Sequence, residues 1–318
     1  MSFSSKAKNE ICRLSDEKDC CKLAEISAII KTSGTINIRP KQGLSFKIST
    51  ENPAIARKVF TLLKDLFGIH TQILVKKNNS LKKNNIYLLL VKGDMGAKDI
   101  LIKTGILREN PNKTLSIANK IPQEMIRKNC CKRAYIRGAF LGGGSVSNPE
   151  KTYHLEFVMS TFDFAEELMK LINSFNLNAK VIDRKNNFVV YIKEGEQIVD
   201  LLNIIGAHSA LLDLENVMIY KEIRNNVNRL VNCETANLSK TVDAAVRQIE
   251  SIKFIQKKIG LKKLPPNLKE IAEIRMKYPD LSLKELGEMM NPPIGKSGVN
   301  HRLRRIEKIA EELKDDGY

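Results

Sequence analysis

No apolar run in this sequence approaches the roughly 20 residues that a membrane-spanning helix needs. Stretches such as Ile86–Val91 are among the longest. The opening residues MSFSSKAKNEICR hold no apolar core of the kind that makes a signal peptide. Secretion and membrane insertion are therefore not expected, and the chain is read as cytoplasmic. No CxxC occurs among the six cysteines, Cys12, Cys20, Cys21, Cys130, Cys131 and Cys233. Two adjacent pairs in a large chain do not make a disulfide framework, so reduced thiols are expected. Neighbouring thiols rarely reach one ion with tetrahedral geometry, so no metal and no cofactor is expected there. The four histidines, His70, His154, His208 and His301, stand at no spacing from a Ser or Cys that suggests a triad. Acidic charge is short as well: 36 Asp+Glu face 53 Lys+Arg, a formal net charge of +17. That excess is larger than solubility requires and points to a polyanionic partner. With 318 residues, 42% of them apolar, the chain can build two or three domains with real cores.

The most informative feature is internal duplication. CCKLAEISAIIKTSGTI (Cys20–Ile36) lies over CCKRAYIRGAFLGGGSV (Cys130–Val146) at a constant offset of 110, with both Cys, the Lys, an Ala, an Ile and a Gly coinciding. LSFKIST (Leu44–Thr50) lies over LEFVMST (Leu155–Thr161), and Val91–Ile106 over Ile192–Ala207. Three matches in the same order make residues 14–110 and 124–210 two copies of one unit. Each copy opens with a helix whose end is placed at Gly34 or Gly144, where glycine suits a helix C-terminus. Alternating apolar residues then mark a strand, Leu44, Phe46 and Ile48 or Leu155, Phe157 and Met159. A helix follows (Ala54–Phe67, Phe164–Phe175), then two strands around a Lys/Asn turn, then a helix closing at Gly105 or Gly206. The order is αββαββα, twice.

A short apolar helix ending in Gly and Ser/Thr-Ile/Val ahead of such a unit resembles the LAGLIDADG homing endonucleases. That resemblance implies two motif helices packed through small residues, here Ala28 and Gly138, and sheets forming a basic saddle over DNA. It also implies an acidic residue before the final Gly as the ligand of a catalytic divalent metal. Those positions are Ser33 and Gly143, and neither offers the carboxylate oxygen a hard cation needs. Lys31, Thr32, Leu141 and Gly142 beside them are not carboxylates either. No catalytic residues are therefore expected, and the chain is read as no enzyme.

From Glu215 the sequence becomes helical and basic, with a break expected around Asn225–Asn237, so residues 218–239 are read as a linker between a domain at 1–217 and one at 240–318. In the second domain Pro266–Tyr278 reads as a helix stopped by Pro279. Ser282 caps the next helix, with Glu285 completing a capping box, and Asn291-Pro292-Pro293 makes the turn. Ser297 is expected to cap the last helix, on which Val299, Leu303, Ile306, Ala310 and Leu313 face the core. This is a helix-turn-helix spanning about 281–314. The other face of its last helix carries Ser297, His301, Arg304, Arg305 and Lys308, with Asn300 at the margin. Arg and Asn can pair bidentately with guanine and adenine in the major groove. Lys284 and Lys296 are expected near phosphates, where they fix register. IGKS at 294–297 lacks the earlier Gly of a phosphate loop, and Gly142–Gly144 follows a helix rather than a strand.

The strings NRLVNCETANLSKTV, LPPNLKEIAEIRMKYPDLSLKELGEMM and PPIGKSGVNHRLRRIEKIAEEL closely resemble the WhiA family. The resemblance implies an α+β fold: a duplicated, degenerate LAGLIDADG-like domain followed by an all-α helix-turn-helix similar to region four of sigma factors. It implies a non-enzymatic, cytoplasmic, nucleoid-associated regulator of transcription that binds double-stranded DNA. Cell division, chromosome segregation and, in spore formers, sporulation come with it. A monomer is expected, with RNA polymerase or a division protein as further partners. The alternative reading is an interaction module whose endonuclease-like half binds such a protein instead of DNA.

Overall fold

Two αββαββα copies stand in the chain where the repeats place them. The computed structural model describes residues 1–15, 18–39, 43–77, 85–112 and 114–315. The Lys/Asn turn of the first copy, at 78–84, lies outside the described residues. A helix absent from the sequence reading, α1 (Phe3–Cys12), precedes the first copy and buries Ala7 and Ile11 in its core.

Copy one runs α2 (Asp19–Ser33), β1 (Gly34–Arg39), β2 (Gly43–Thr50), α3 (Pro53–Phe67), β3 (Gln72–Lys77), β4 (Asn85–Val91) and α4 (Ala97–Lys103). A short hairpin, β5 (Leu107–Glu109) and β6 (Leu115–Ile117), leads to copy two. That copy is α5 (Asn129–Gly143), β7 (Gly144–Val146), β8 (Leu155–Met159), α6 (Phe162–Asn173), β9 (Lys180–Arg184), β10 (Asn187–Ile192) and α7 (Gly195–Ile205). The sheets have equivalent orders, β1-β2-β4-β3 and β7-β8-β10-β9, with every pairing antiparallel. Strand alternation sends Phe46, Ile48, Leu89 and Val91 inward in one sheet and Leu155, Phe157, Val190 and Ile192 inward in the other. Those side chains meet Ile26, Ile29, Tyr135, Ile136 and Phe140 of the two motif helices in one shared core.

The motif helices pack closely because small residues face each other. A Cβ on Gly138 would lie 3.0 Å from the Ala28 Cβ and nearer still to the Glu25 carbonyl oxygen. The final glycines serve a different purpose from the one expected. Gly34 and Gly144 are extended (φ −82° and −84°), not left-handed, and each passes directly from helix into strand. Glycine is required because a Cβ at Gly34 or Gly144 would strike the preceding turn at Ile30 or Phe140. The closing glycines Gly105 and Gly206 do take the left-handed conformation, φ +68° and +85°.

Beyond copy two comes α8 (His208–Lys258), then α9 (Pro266–Lys277), α10 (Leu283–Glu288) and α11 (Lys296–Asp315). The described chain divides into two compact units, 1–221 and from 222 onward. The break expected around Asn225–Asn237 does not occur; those residues are helical throughout. Neither Gly nor Pro interrupts the sequence between Gly206 and Gly260, and Asn lowers helix propensity by less than about 0.7 kcal/mol per residue. The Thr241 hydroxyl donates to the Asn237 carbonyl (2.9 Å), anchoring the side chain along the helix. The second unit's core gathers Ile252, Ile255, Leu268, Ile271, Leu286, Val299, Leu303 and Ile306.

Candidate nucleic-acid interface

The helix-turn-helix is held by three local devices. The Ser282 hydroxyl accepts from the Glu285 amide (3.4 Å), and the Glu285 carboxylate accepts from the Ser282 amide (2.8 Å), the reciprocal cap at the start of α10. Hydrogen bonds from the Ser282 side chain and backbone hold the Glu285 carboxyl below its ordinary range. Next, the turn closes on Gly287, whose carbonyl accepts from Ile294 N–H at 3.0 Å. A Cβ there would collide with the Ile294 backbone and stand 3.1 Å from Val299, so glycine lets α10 and α11 approach. Third, buried Arg275 on α9 donates to Gln248 on α8 (3.1 Å) and to the Leu281 carbonyl (2.6 Å). Burial lowers its pKa from the ordinary guanidinium value, yet the two acceptors satisfy it. Arg275 reads from sequence as one more basic helix residue; only its place within an apolar run, between Ile274 and Met276, marked it as unusual.

Helix α11 begins two residues earlier than expected. Lys296 is its first residue, and the Val299 N–H reaches back to the Gly295 carbonyl (3.1 Å), so Ser297 lies inside the first turn and does not cap it. Val299, Leu303, Ile306 and Ala310 are buried and Leu313 partly so. On the other side Ser297, His301, Arg304, Arg305 and Lys308 are exposed, Asn300 is half-buried at the margin, and Lys284 and Lys296 are exposed. Two of these cations have intrahelical partners: Lys284 lies 4.0 Å from Glu288 and Lys308 lies 3.8 Å from Glu312. Such solvated pairs are weak, below about 1 kcal/mol, so they leave both lysines free to exchange partners.

In the duplicated domain, Ser33 and Gly143 stand at the ends of α2 and α5. The Ser33 hydroxyl donates to the Ile29 carbonyl (2.8 Å), and a Cβ on Gly143 would lie 2.9 Å from the Val158 carbonyl oxygen. The buried acid in these helices is elsewhere: Glu25 pairs with Arg137 at 3.1 Å and with Lys58 at 3.6 Å. Its charge is engaged by two buried cations, and it lies two turns from Ser33.

The outer sheet faces are mixed in character, less basic than the saddle that the resemblance implies. Register places Lys47 and Gln72 on either side of Leu90, and Leu74 beside Leu88. In the second sheet Lys180 and Arg184 accompany Val158 and Ile182, while Glu156 binds His154 (3.0 Å) and approaches Arg184 (3.9 Å).

The paired cysteines do gather: the sulfurs of Cys20, Cys21, Cys130 and Cys131 all lie within 4.8 Å of one another. Side-by-side packing of α2 and α5 brings together first turns that are 110 residues apart, which no local spacing rule registers.

Three family models match the chain. They are the WhiA N-terminal LAGLIDADG-like domain over residues 19–107, the WhiA LAGLIDADG-like domain over 132–224 and the WhiA C-terminal HTH domain over 227–310. The chain belongs to the WhiA family. A protein of Clostridium botulinum named "Probable cell division protein WhiA" is 65% identical over 314 residues, which covers 99% of each chain. A Clostridium perfringens protein of the same name is 64% identical over 318 residues, 100% of each. Among solved structures, full-length DUF199/WhiA from Thermatoga maritima matches with a TM-score of 0.60 at 26% identity, over 98% of this chain and 99% of that one. Both the family and the fold expected from the sequence, a duplicated LAGLIDADG-like domain followed by a helix-turn-helix, are met. Among the described residues no helix is long and apolar enough to cross a membrane.

Proposed function

We propose that this chain is a non-enzymatic DNA-binding protein of bacterial cell division that regulates transcription through its helix-turn-helix. The observation that carries the reading is the face of α11. Ser297, His301, Arg304 and Arg305 project from the first half of a helix that is buried along its opposite side. Arg304 and Asn300 would read base edges, while Lys284, Lys296 and Lys308 would meet phosphates. The net charge of +17 favours the polyanion and speeds encounter. Relatives named for cell division support the cellular role, and chromosome segregation, sporulation, a cytoplasmic nucleoid location and a monomeric state belong to the same reading. Ser33 and Gly143 in place of carboxylates support binding without cleavage.

A second reading is favoured by the sheet faces. Leu74, Val158 and Ile182 are exposed among few cations, a surface that suits a protein such as the polymerase or a division protein better than a duplex. The test uses the full chain with Mg²⁺ present, comparing genomic fragments it captures with unrelated duplex, beside Arg304→Ala and a Lys47→Ala/Lys180→Ala double variant. Loss of selectivity in the first variant, unchanged affinity in the second and intact DNA strands are expected. Cleaved strands, or selectivity that follows the sheet lysines, would overturn the proposal.

A further inference from the structure

The same five-residue pattern, Lys-x-Cys-Cys-Lys, opens both motif helices. Lys18-Asp19-Cys20-Cys21-Lys22 begins α2, and Lys128-Asn129-Cys130-Cys131-Lys132 begins α5. Lys18 and Lys128 are the N-cap residues, so the cysteines hold the second and third positions of the first turn in each helix. All four are free thiols, Cys21 and Cys131 buried, Cys20 and Cys130 half-exposed. Among the described residues they form the one group of three or more metal-ligating side chains within mutual reach.

The distances discriminate between uses. Zinc–thiolate bonds of about 2.3 Å in a tetrahedron place sulfurs about 3.8 Å apart. The Cys130 and Cys131 sulfurs are 4.0 Å apart, and no pair in the group exceeds 4.8 Å. Contraction of this size needs only small side-chain rotations. A four-iron cluster, with an iron atom beneath each sulfur, needs the thiolates farther apart. A disulfide within either pair is disfavoured, because adjacent Cα atoms lie about 3.8 Å apart, short of the usual disulfide range of about 4.4–6.8 Å. Hard cations want oxygen and find none in the group.

The surroundings suit thiolates. Two helix N-termini present their partial positive ends, and the Lys18 and Lys128 side chains make no cap hydrogen bond. Cys130 makes hydrogen bonds with Cys21 and Cys131. The half-exposed outer pair leaves a route in from solvent.

We propose that Cys20, Cys21, Cys130 and Cys131 bind one zinc ion as a tetrathiolate site that joins the two repeats at the first turns of α2 and α5. Four neutral thiols lose four protons as four Zn–S bonds form; no electron moves. The product carries a net charge of −2, offset by Lys18, Lys128 and the helix termini. This site is structural, since all four positions around the ion are filled by protein, and it is independent of how the chain treats DNA.

The experiment is metal analysis of the full chain, purified under reducing conditions without a metal-affinity tag, followed by exchange into Co²⁺. One zinc per chain is expected. Cobalt should give thiolate-to-metal charge transfer in the near ultraviolet and the visible bands of a tetrahedral ion. Cys12→Ser and Cys233→Ser should leave both readouts unchanged, while Cys131→Ser should abolish the tetrathiolate spectrum. Chelation should lower the melting temperature of the wild-type chain, a readout that does not depend on a variant folding. Zinc well below one per chain with no cobalt spectrum would overturn the proposal, as would stoichiometric iron or copper. Metal-free protein that instead forms a Cys21–Cys130 or Cys20–Cys131 disulfide on mild oxidation would overturn it in favour of a redox pair.

Discussion

The backbone carbonyl of Glu25 occupies the space that a Cβ on Gly138 would need, with the Ala28 Cβ closing the other side at 3.0 Å. Two helices from different repeats thus meet backbone to backbone, and any side chain at 138 must push them apart. Gly138→Ala is expected to destabilise the duplicated domain by about 2–3 kcal/mol and Gly138→Val by more, because a well-packed core resists even one extra methyl group. Thermal melting followed by circular dichroism checks this; an unchanged midpoint in the valine variant would refute the close-approach argument.

Glu25 offers a second contrast. It is fully buried between Arg137 and Lys58, whereas Asp65 makes a more exposed pair with Lys22 at 3.2 Å. Glu25→Ala takes the carboxylate away from two buried cations and should cost about 3–5 kcal/mol. Asp65→Ala should cost under about 1 kcal/mol. Urea titration of both variants should separate their midpoints clearly, and equal shifts would show that burial does not matter here.

The cap of α10 carries a pH signature. Ser282→Ala should lower the stability of the helix-turn-helix by about 1 kcal/mol. The Glu285 carboxyl is held below its ordinary value when folded, so the unfolded chain binds the proton more readily. Its contribution is therefore present above the ordinary carboxylate pKa and is lost as pH falls through the lowered folded value. Melting of the wild type and of Glu285→Gln between neutral and acidic pH should converge on the acidic side. A constant difference across that range would count against the reciprocal hydrogen bonds.

DNA affinity of the full chain should depend steeply on salt. If about six phosphates are neutralised, affinity falls about a thousandfold between about 50 and 200 mM salt. Arg304→Ala should weaken specific sites by about 1–3 kcal/mol and leave nonspecific binding nearly intact. Lys284→Ala should weaken all duplexes alike and reduce the salt slope by about one. Fluorescence anisotropy with specific and scrambled duplexes at several salt concentrations distinguishes the two patterns.

The repeats were legible because identity at a constant offset survives in a single sequence: the paired cysteines and Gly34 with Gly144 carry it. The faces of α11 were legible because a 3.6-residue period separates Val299, Leu303 and Ile306 from Arg304 and Arg305. What escaped depends on contacts between distant segments. The four thiols come together only once α2 packs on α5. Helix α1 carries too few apolar residues to announce itself before Ala7 and Ile11 find a core. The continuity of α8 through Asn225 and Asn237 was missed by giving weight to polar residues that merely lack a strong preference, when the absence of Gly and Pro was the better guide.

The buried ion pair between the repeats has a meaning for their partnership. At the offset of 110, the counterpart of Glu25 is Tyr135 and the counterpart of Arg137 is Ser27. Two first copies pairing with each other would bury two carboxylates with no guanidinium between them. Two second copies would bury two guanidiniums with no carboxylate. Lys58 meets Glu25 from within its own copy, but only unlike halves give the carboxylate its guanidinium. The duplicated helices have become lock and key, and the ancestral symmetry that would let either half pair with its own kind is closed to both.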